Sequence, residues 1–293
     1  MASHDAARIT VLGLGLMGQA LAATTAKAGH STTVWNRTPG KAGEPVSHGA
    51  TEAASLAEAI EASPLIVACL LDHDSVHAAL DAQVESLSGR TLINLTSTSA
   101  NQARELAAWA AKHGIAYLDG GIMATPDMIG NAGSSILYSG TEAVHTEYKE
   151  LLELWGEAAY FGEDAGLASL WDFALLSGMY MMFAGFYHGA AMLKSAGVSA
   201  ADFAQRAVPW VTALAPSISQ QAATIDSGVY TTDVQHLDFT KAAVDAIFQS
   251  GVDQGINTEL FAPIKAVIDR QVAAGHGPEA FERIFESIKN SAQ

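Results

Sequence analysis

Residues 9–18 read Ile9-Thr10-Val11-Leu12-Gly13-Leu14-Gly15-Leu16-Met17-Gly18 and lead into a helix-forming stretch at 19–28. A β-rich run, a glycine-spaced turn and a helix, in that order, match the loop on which a dinucleotide pyrophosphate rests. Gly13 permits the tight turn, Gly15 lets the backbone approach the phosphates, and Gly18 lets helix and strand pack closely. The helix N-terminus offers its unpaired N–H groups to the anion, which draws Leu14 and Met17 into the same cradle. Bland turns use the same glycine spacing, and only the place between a strand and a helix favours the nucleotide.

The second strand, residues 32–35, ends where NAD-selective proteins usually set a carboxylate on the ribose hydroxyls. Asn36, Arg37 and Thr38 stand there instead, with Lys41 just beyond. A carboxylate would repel a 2′-phosphate, whereas a guanidinium binds one through paired charge-assisted hydrogen bonds, so the expected cofactor is NADPH. The alternative is that Arg37 and Lys41 are ordinary surface charges. The third and fourth strands end near Leu70 and at Asn94, with Thr96 close behind. These ends lie on the edge where open α/β sheets bind ligands, which places Asn94 and Thr96 near the nicotinamide ribose. Ser and Thr after a strand also serve as helix caps, and Thr98 or Ser99 can simply start the next helix.

Further along, short β-rich runs at 65–70, 91–94 and 116–119 alternate with helical stretches at 53–62, 75–80 and 101–113. Such alternation predicts parallel strands with helical crossovers. Runs at 134–139 and 159–161 add two late strands, and from about Gly162 the chain reads helical, punctuated by Gly197, Pro209, Gly228, Gly251, Gly255 and Gly275. The expected organisation is a nucleotide-binding α/β domain over 1–163, a long linking helix at about 164–195, and an all-α domain within 164–293. Only the extreme termini read as loose.

Lys plus Arg number 15 against 31 Asp plus Glu, a net charge of −16 that argues against broad attraction to nucleic acid or acidic lipid. The lone cysteine, Cys69, excludes an internal disulfide framework and suits a reducing cytoplasm, and no Cys/His spacing suggests a structural zinc, so no metal is expected. Residues 1–8 carry Asp5 and no apolar run behind a basic segment, unlike a secretory signal. Residues 173–193 are long and apolar enough to cross a bilayer, with His188 the one group titrating near neutrality. Ser177, Gly178, Gly185 and Gly189 dilute that run and no second span follows, so no membrane is expected. A helix apolar all round is otherwise buried in a core or a subunit interface, which implies an oligomer.

The runs GLGLMG at 13–18, VWNRT at 34–38, INLT at 93–96, LDGGIMATPDMIG at 118–130, GLASLWDFALLSGMY at 166–180 and Val208-Pro209-Trp210 are similar to the β-hydroxyacid dehydrogenase superfamily. Within it they resemble the NADPH-dependent imine reductases and reductive aminases, over nearly the whole chain. The resemblance implies a Rossmann domain, a long interdomain helix, an all-α C-terminal domain and an intertwined homodimer in which each cleft uses both chains. It implies reduction of imines or iminium ions to amines, with ketone plus amine as a further substrate pair. In the hydroxyacid dehydrogenases a catalytic lysine follows a glycine by six residues, and at that spacing after Gly166 this chain has Asp172. An alcohol dehydrogenation would therefore lack its general base.

Asp172 and Tyr180 stand eight residues apart, about two helical turns and roughly 12 Å along the axis, so they can border one pocket. A buried helix should not carry an unpaired carboxylate, which leaves Asp172 to cap, pair or serve function. By resemblance Asp172 holds the amine and stabilises the cationic iminium, while Tyr180 hydrogen-bonds near the nitrogen and supplies or relays a proton. Helix-dipole complementation and plain core packing are their respective alternatives. The resemblance also places Met123, Thr125, Met179, Phe183 and Trp210 at the substrate, although Met179, Met182, Phe183 and Trp210 read equally well as core. Where some reductive aminases carry a substrate-contacting glutamine, Thr240 stands here beside Phe239. His188 reads as a satisfied core histidine. The competing functions are a hydroxyacid dehydrogenase, a non-catalytic NADPH sensor, and a cyclic-imine reductase for an amino acid, the last lacking a basic cluster for the carboxylate.

Overall fold

The computed structural model describes residues 7–289, and the readings of the two extreme termini lie outside them. The chain divides into two compact units within its longest helix, one ending at Ser177 and the other beginning at Gly178.

The first unit is built on eight strands: β1 (Arg8–Leu12), β2 (Ser31–Trp35), β3 (Thr51–Glu52), β4 (Leu65–Ala68), β5 (Thr91–Asn94), β6 (Ala116–Met123), β7 (Ser135–Gly140) and β8 (Glu157–Tyr160). They form one sheet in the order β3-β2-β1-β4-β5-β6-β7-β8. Every pairing is parallel except β6 with β7. The order reverses between β1 and β4, and the ligand crevice of such sheets lies beyond the carboxyl ends of the strands at that switch.

Helices α1 (Leu16–Lys27), α2 (Gly43–Ser47), α3 (Leu56–Glu61), α4 (His73–Leu80), α5 (Val84–Leu87), α6 (Ala100–Lys112) and α7 (Glu142–Leu152) accompany the strands. The strands read as continuous apolar runs because both faces are covered. Ile9, Val11, Leu65 and Val67 point into one buried cluster with Leu21 and Trp155, while Leu12, Ile66 and Ala68 point into another with Leu80 and Leu106.

The remaining helices are α8 (Gly166–Lys194), α9 (Ala200–Leu214), α10 (Ser217–Ser227), α11 (Leu237–Asp253), α12 (Ala262–Gln271) and α13 (Phe285–Ile288). The opening turns of α8 are anchored in the first unit, where Ala165, Ala168, Ser169 and Asp172 are buried. In the second unit Leu237, Val244 and Ile268 make a small core with Phe261 and Phe281. No residue of α9 or α10 is buried.

Three readings are corrected. Pro209 does not break the chain but stands inside α9 on its exposed side, where water can satisfy the carbonyl its missing N–H leaves free. Gly251 lies inside α11, where a Cβ would press to 3.1 Å from Thr258 Cγ2, so this glycine serves close packing. The first β-rich run, read from the sequence as 8–14, stops at Leu12 because Gly13 turns the backbone to a φ of +93°.

Candidate active site

The glycine loop is fixed by contacts on both sides. Gly13 N–H donates to the Trp35 carbonyl at 2.9 Å, and a Cβ at Gly13 would strike the Cys69 carbonyl oxygen. A Cβ at Gly18 would strike the carbonyl of Gly13, so the helix meets the turn with no room for a side chain. Gly15 caps α1, and a Cβ there would meet nothing within 4 Å. That open side belongs to a cleft of about 420 Å³ lined by Gly13, Gly15, Trp35, Asn36, Arg37, Thr38, Leu70 and residues of α4.

Asn36 performs a task its sequence position did not disclose. Its Oδ1 accepts the Leu14 N–H at 2.8 Å and its Nδ2 donates to the Thr38 carbonyl at 2.8 Å, tying the glycine loop to the turn after β2. The Leu14 amide is thereby engaged inside the protein. Arg37 is exposed on the cleft and forms no ion pair among the described residues, while Lys41 lies outside the lining. Met17 is half-buried, its side chain packed against the core.

Beyond β4 and β5 the polar side chains knit strand ends together. The Leu70 N–H donates to Thr96 Oγ1 at 2.9 Å, the Thr96 N–H to Asn94 Oδ1 at 3.2 Å, and Asn94 Nδ2 to Asp119 Oδ1 at 3.1 Å. Asn94 and Thr96 are both buried. Ser99 forms a reciprocal capping box with Gln102 at the start of α6, so the helix-start alternative holds for that residue.

Asp119 escaped the sequence reading of site residues although it stands in the quoted run at 118–130. It is fully buried on β6 and accepts from Asn94, from Tyr117 Oη at 2.7 Å and from Ser169 Oγ at 2.8 Å. Burial pushes its pKa up to about 6 against the pull of those donors, and the neighbouring Asp172 charge adds to the rise. Its signal in the sequence is a carboxylate inside a strand covered on both faces, which demands internal donors.

Asp172 is 4% exposed and packs against Gly121, whose Cβ would lie 2.6 Å from that of Asp172. Its Oδ1 has no hydrogen-bond partner, and burial raises its pKa to about 6. The residue sits beyond the first turn of α8, which holds no acidic residue, so complementing the helix dipole does not account for it. At the end of β6, Met123 is half-buried, and the exposed Thr125 donates its hydroxyl to Asp127 Oδ1 at 2.7 Å.

The second unit presents its expected site residues at the surface of the single chain. Tyr180 is 64% and Trp210 65% exposed, Phe183 and Phe239 are exposed as well, and Met179 is half-buried. The core alternative therefore fails within one chain for Tyr180, Met182, Phe183 and Trp210. Thr240 lies in the first turn of α11, its hydroxyl donating to the His236 carbonyl at 3.3 Å. His188 is buried and stacked on Phe261, but its Nε2 has no partner, so the expectation of a satisfied histidine is corrected: an apolar neighbour covers the ring without meeting its nitrogen.

The model of the NAD-binding domain of 6-phosphogluconate dehydrogenase matches residues 8–162, and that of the NADPH-dependent reductive aminase-like C-terminal domain matches residues 164–290. The chain is 40% identical to the NADPH-dependent reductive aminase of Aspergillus oryzae over 285 residues, covering 96% of this chain and 97% of that one. A reductive aminase from Aspergillus terreus, solved with NADPH4, cyclohexanone and allyl amine, is 42% identical and superposes with a TM-score of 0.92 over 97% of this chain and 100% of its own. An imine reductase from Streptomyces aurantiacus is 31% identical, with a TM-score of 0.92 over 97% and 100% of the two chains. A buried carboxylate on the long helix, a glycine-turn cleft with a free guanidinium and likeness along both units lead to one assignment: the chain belongs to the NADPH-dependent reductive aminase and imine reductase family.

Proposed function

We propose that this chain reduces imines and iminium ions to amines with NADPH, and that it couples ketones to amines by the same route. The observation that carries the reading is Asp172: a buried carboxylate with one free oxygen occupies the place where a hydroxyacid dehydrogenase would have its lysine base. An anion there suits a cationic nitrogen, and the lysine with which the hydroxyacid dehydrogenases take up the alcohol proton is absent.

The cleft fits the cofactor. The open side of Gly15 and the start of α1 would receive the pyrophosphate, and Arg37 with Thr38 would hold the 2′-phosphate, with Lys41 adding long-range charge. Leu70, Asn94 and Thr96 belong to the frame around the nicotinamide ribose, held by the hydrogen bonds that run through Asp119. When bound, the cofactor supplies the hydride that the imine carbon accepts. Asp172 orients the amine and balances the iminium charge, and Tyr180 provides the neutral hydroxyl that gives or relays a proton. Met123, Thr125, Met179, Phe183, Trp210, Phe239 and Thr240 are assigned to the substrate.

The domain boundary is placed at 163/164, at the foot of α8, and the working form is a homodimer. Apolar side chains left exposed along α8, α9 and α11 in one chain support the dimer. The helix α8 is long and apolar enough to cross a bilayer, with 17% of its most apolar window buried, and a second copy covers that surface in this reading. A single free cysteine fits a reducing, cytoplasmic setting.

The test is steady-state NADPH oxidation with a cyclic imine, set beside NADP⁺ reduction with small β-hydroxyacids. Turnover of the imine alone is expected. Turnover of the hydroxyacids alone would reinstate the dehydrogenase, and cofactor binding without turnover of either would leave a sensor.

A further inference from the structure

A second set of chemistry-bearing side chains gathers on the far side of α4 from the cofactor cleft. His73 and His77 stand one turn apart on α4, and Glu105 reaches them from α6. Glu105 Oε2 lies 2.8 Å from His73 Nε2 and 3.2 Å from His77 Nε2, and the three ligand atoms fall within 4.8 Å of one another. Both imidazoles are largely buried and Glu105 is exposed. Behind His77, Asp81 Oδ1 takes its Nδ1–H at 2.9 Å, and Trp109 packs edge-on against the ring.

We propose that His73, His77 and Glu105 bind a divalent transition cation of the zinc class, clamping α4 to α6. Two imidazole nitrogens and one carboxylate oxygen are a donor set suited to such metals. Histidines four residues apart on a helix aim both rings to one side, and a carboxylate behind one of them fixes its orientation. Three protein ligands leave a fourth tetrahedral position for water, and the exposed Glu105 marks the entry path. Both ring nitrogens of His77 face carboxylates, Nδ1 facing Asp81 and Nε2 facing Glu105, so a bound metal would take the Nε2 position and release any proton held there to solvent. His73 Nδ1 is buried without a partner, so that ring lacks the outer hydrogen bond that His77 has to Asp81.

The cluster has no cysteine and its third ligand is remote in sequence, which is why Cys/His spacing did not disclose it. Ser75, Ala78 and Ala79, on the opposite side of α4, line the cofactor cleft, so the clamp steadies a wall of that cleft. The site stands independently of the reductase reading.

Tag-free, EDTA-treated full-length protein is titrated with zinc in a calorimeter, beside His77→Asn and Glu105→Gln. One zinc per chain with micromolar affinity is expected, with a Tm rise of roughly 3–6 °C at tenfold excess over Kd. Each variant should bind at least about tenfold more weakly while keeping its far-UV circular dichroism. If one variant fails to fold, the other carries the comparison. No binding at micromolar zinc, or wild-type affinity in a folded variant, would overturn the proposal and leave an ordinary ion-pair cluster.

Discussion

Asp172 is buried beside Asp119 with one carboxylate oxygen unpartnered, and burial lifts its pKa from 3.8 to about 6. The raised value has a definite consequence for stability. Between these two pKa values the folded chain holds the proton more readily than the unfolded chain, so the stabilisation is complete below about pH 4 and is lost as pH rises through about 6. Asp172→Asn removes the ionisable group at nearly constant shape and should gain about 1–3 kcal/mol at pH 7.5. Most of that gain should disappear by about pH 4.5, because the wild-type carboxyl is then protonated in the folded state. Urea unfolding at the two pH values checks this, and an equal effect at both would show that the oxygen finds a partner in solution. The same titration bears on activity: amine capture needs the anion, so turnover of ketone plus amine should fall as pH drops below about 6.

At the scale of elements, the turn after β2 and the glycine loop act as one piece, since Asn36 bridges Leu14 to Thr38 while Arg37 is left free on the cleft. Arg37→Ala should cost roughly 1.5–3 kcal/mol of NADPH binding, the worth of hydrogen bonds to a charged group, and leave NADH binding nearly unchanged. Asn36→Ala removes both the acceptor for Leu14 and the donor to Thr38 without adding a charge, and should weaken both cofactors together. Fluorescence titration with each cofactor separates the two patterns, and an equal loss from Arg37→Ala would remove its assignment to the 2′-phosphate.

The strand, turn and helix around Gly13 were legible in the sequence because their determinants are local: glycine at a positive φ, a β-rich run, a helical run. So was the apolar length of α8. The edge strand β3 was not, since two residues carry no periodicity and are ordered only by pairing Thr33 with Thr51 and Val34 with Glu52. The bridging task of Asn36 and the buried knot of Asn94, Tyr117, Asp119 and Ser169 were equally hidden, because each depends on strands and a helix brought together by the fold.

Over the whole molecule, apolar surface is the feature a single chain leaves unresolved. Leu170, Trp171, Met181, Val208, Trp210 and Ile218 all stand exposed on α8, α9 and α10, and no residue of α9 or α10 is buried. Large apolar side chains exposed in this number support the proposed homodimer. Light scattering at low micromolar concentration should give twice the chain mass, and a stable, soluble monomer would contradict the dimer.

The proposed chemistry assigns Asp172 as the anion that holds the amine and Tyr180 as a neutral donor near the nitrogen. Its most direct test is kcat at saturating NADPH for wild type, Asp172→Ala and Tyr180→Phe, each on a preformed cyclic imine and on ketone plus amine. Asp172→Ala should damage the two-substrate reaction more than reduction of the cyclic imine, and Tyr180→Phe should lower both by something on the order of 10–10³. Wild-type kcat on both reactions in folded variants that still bind NADPH would contradict it and return the two residues to a purely structural role.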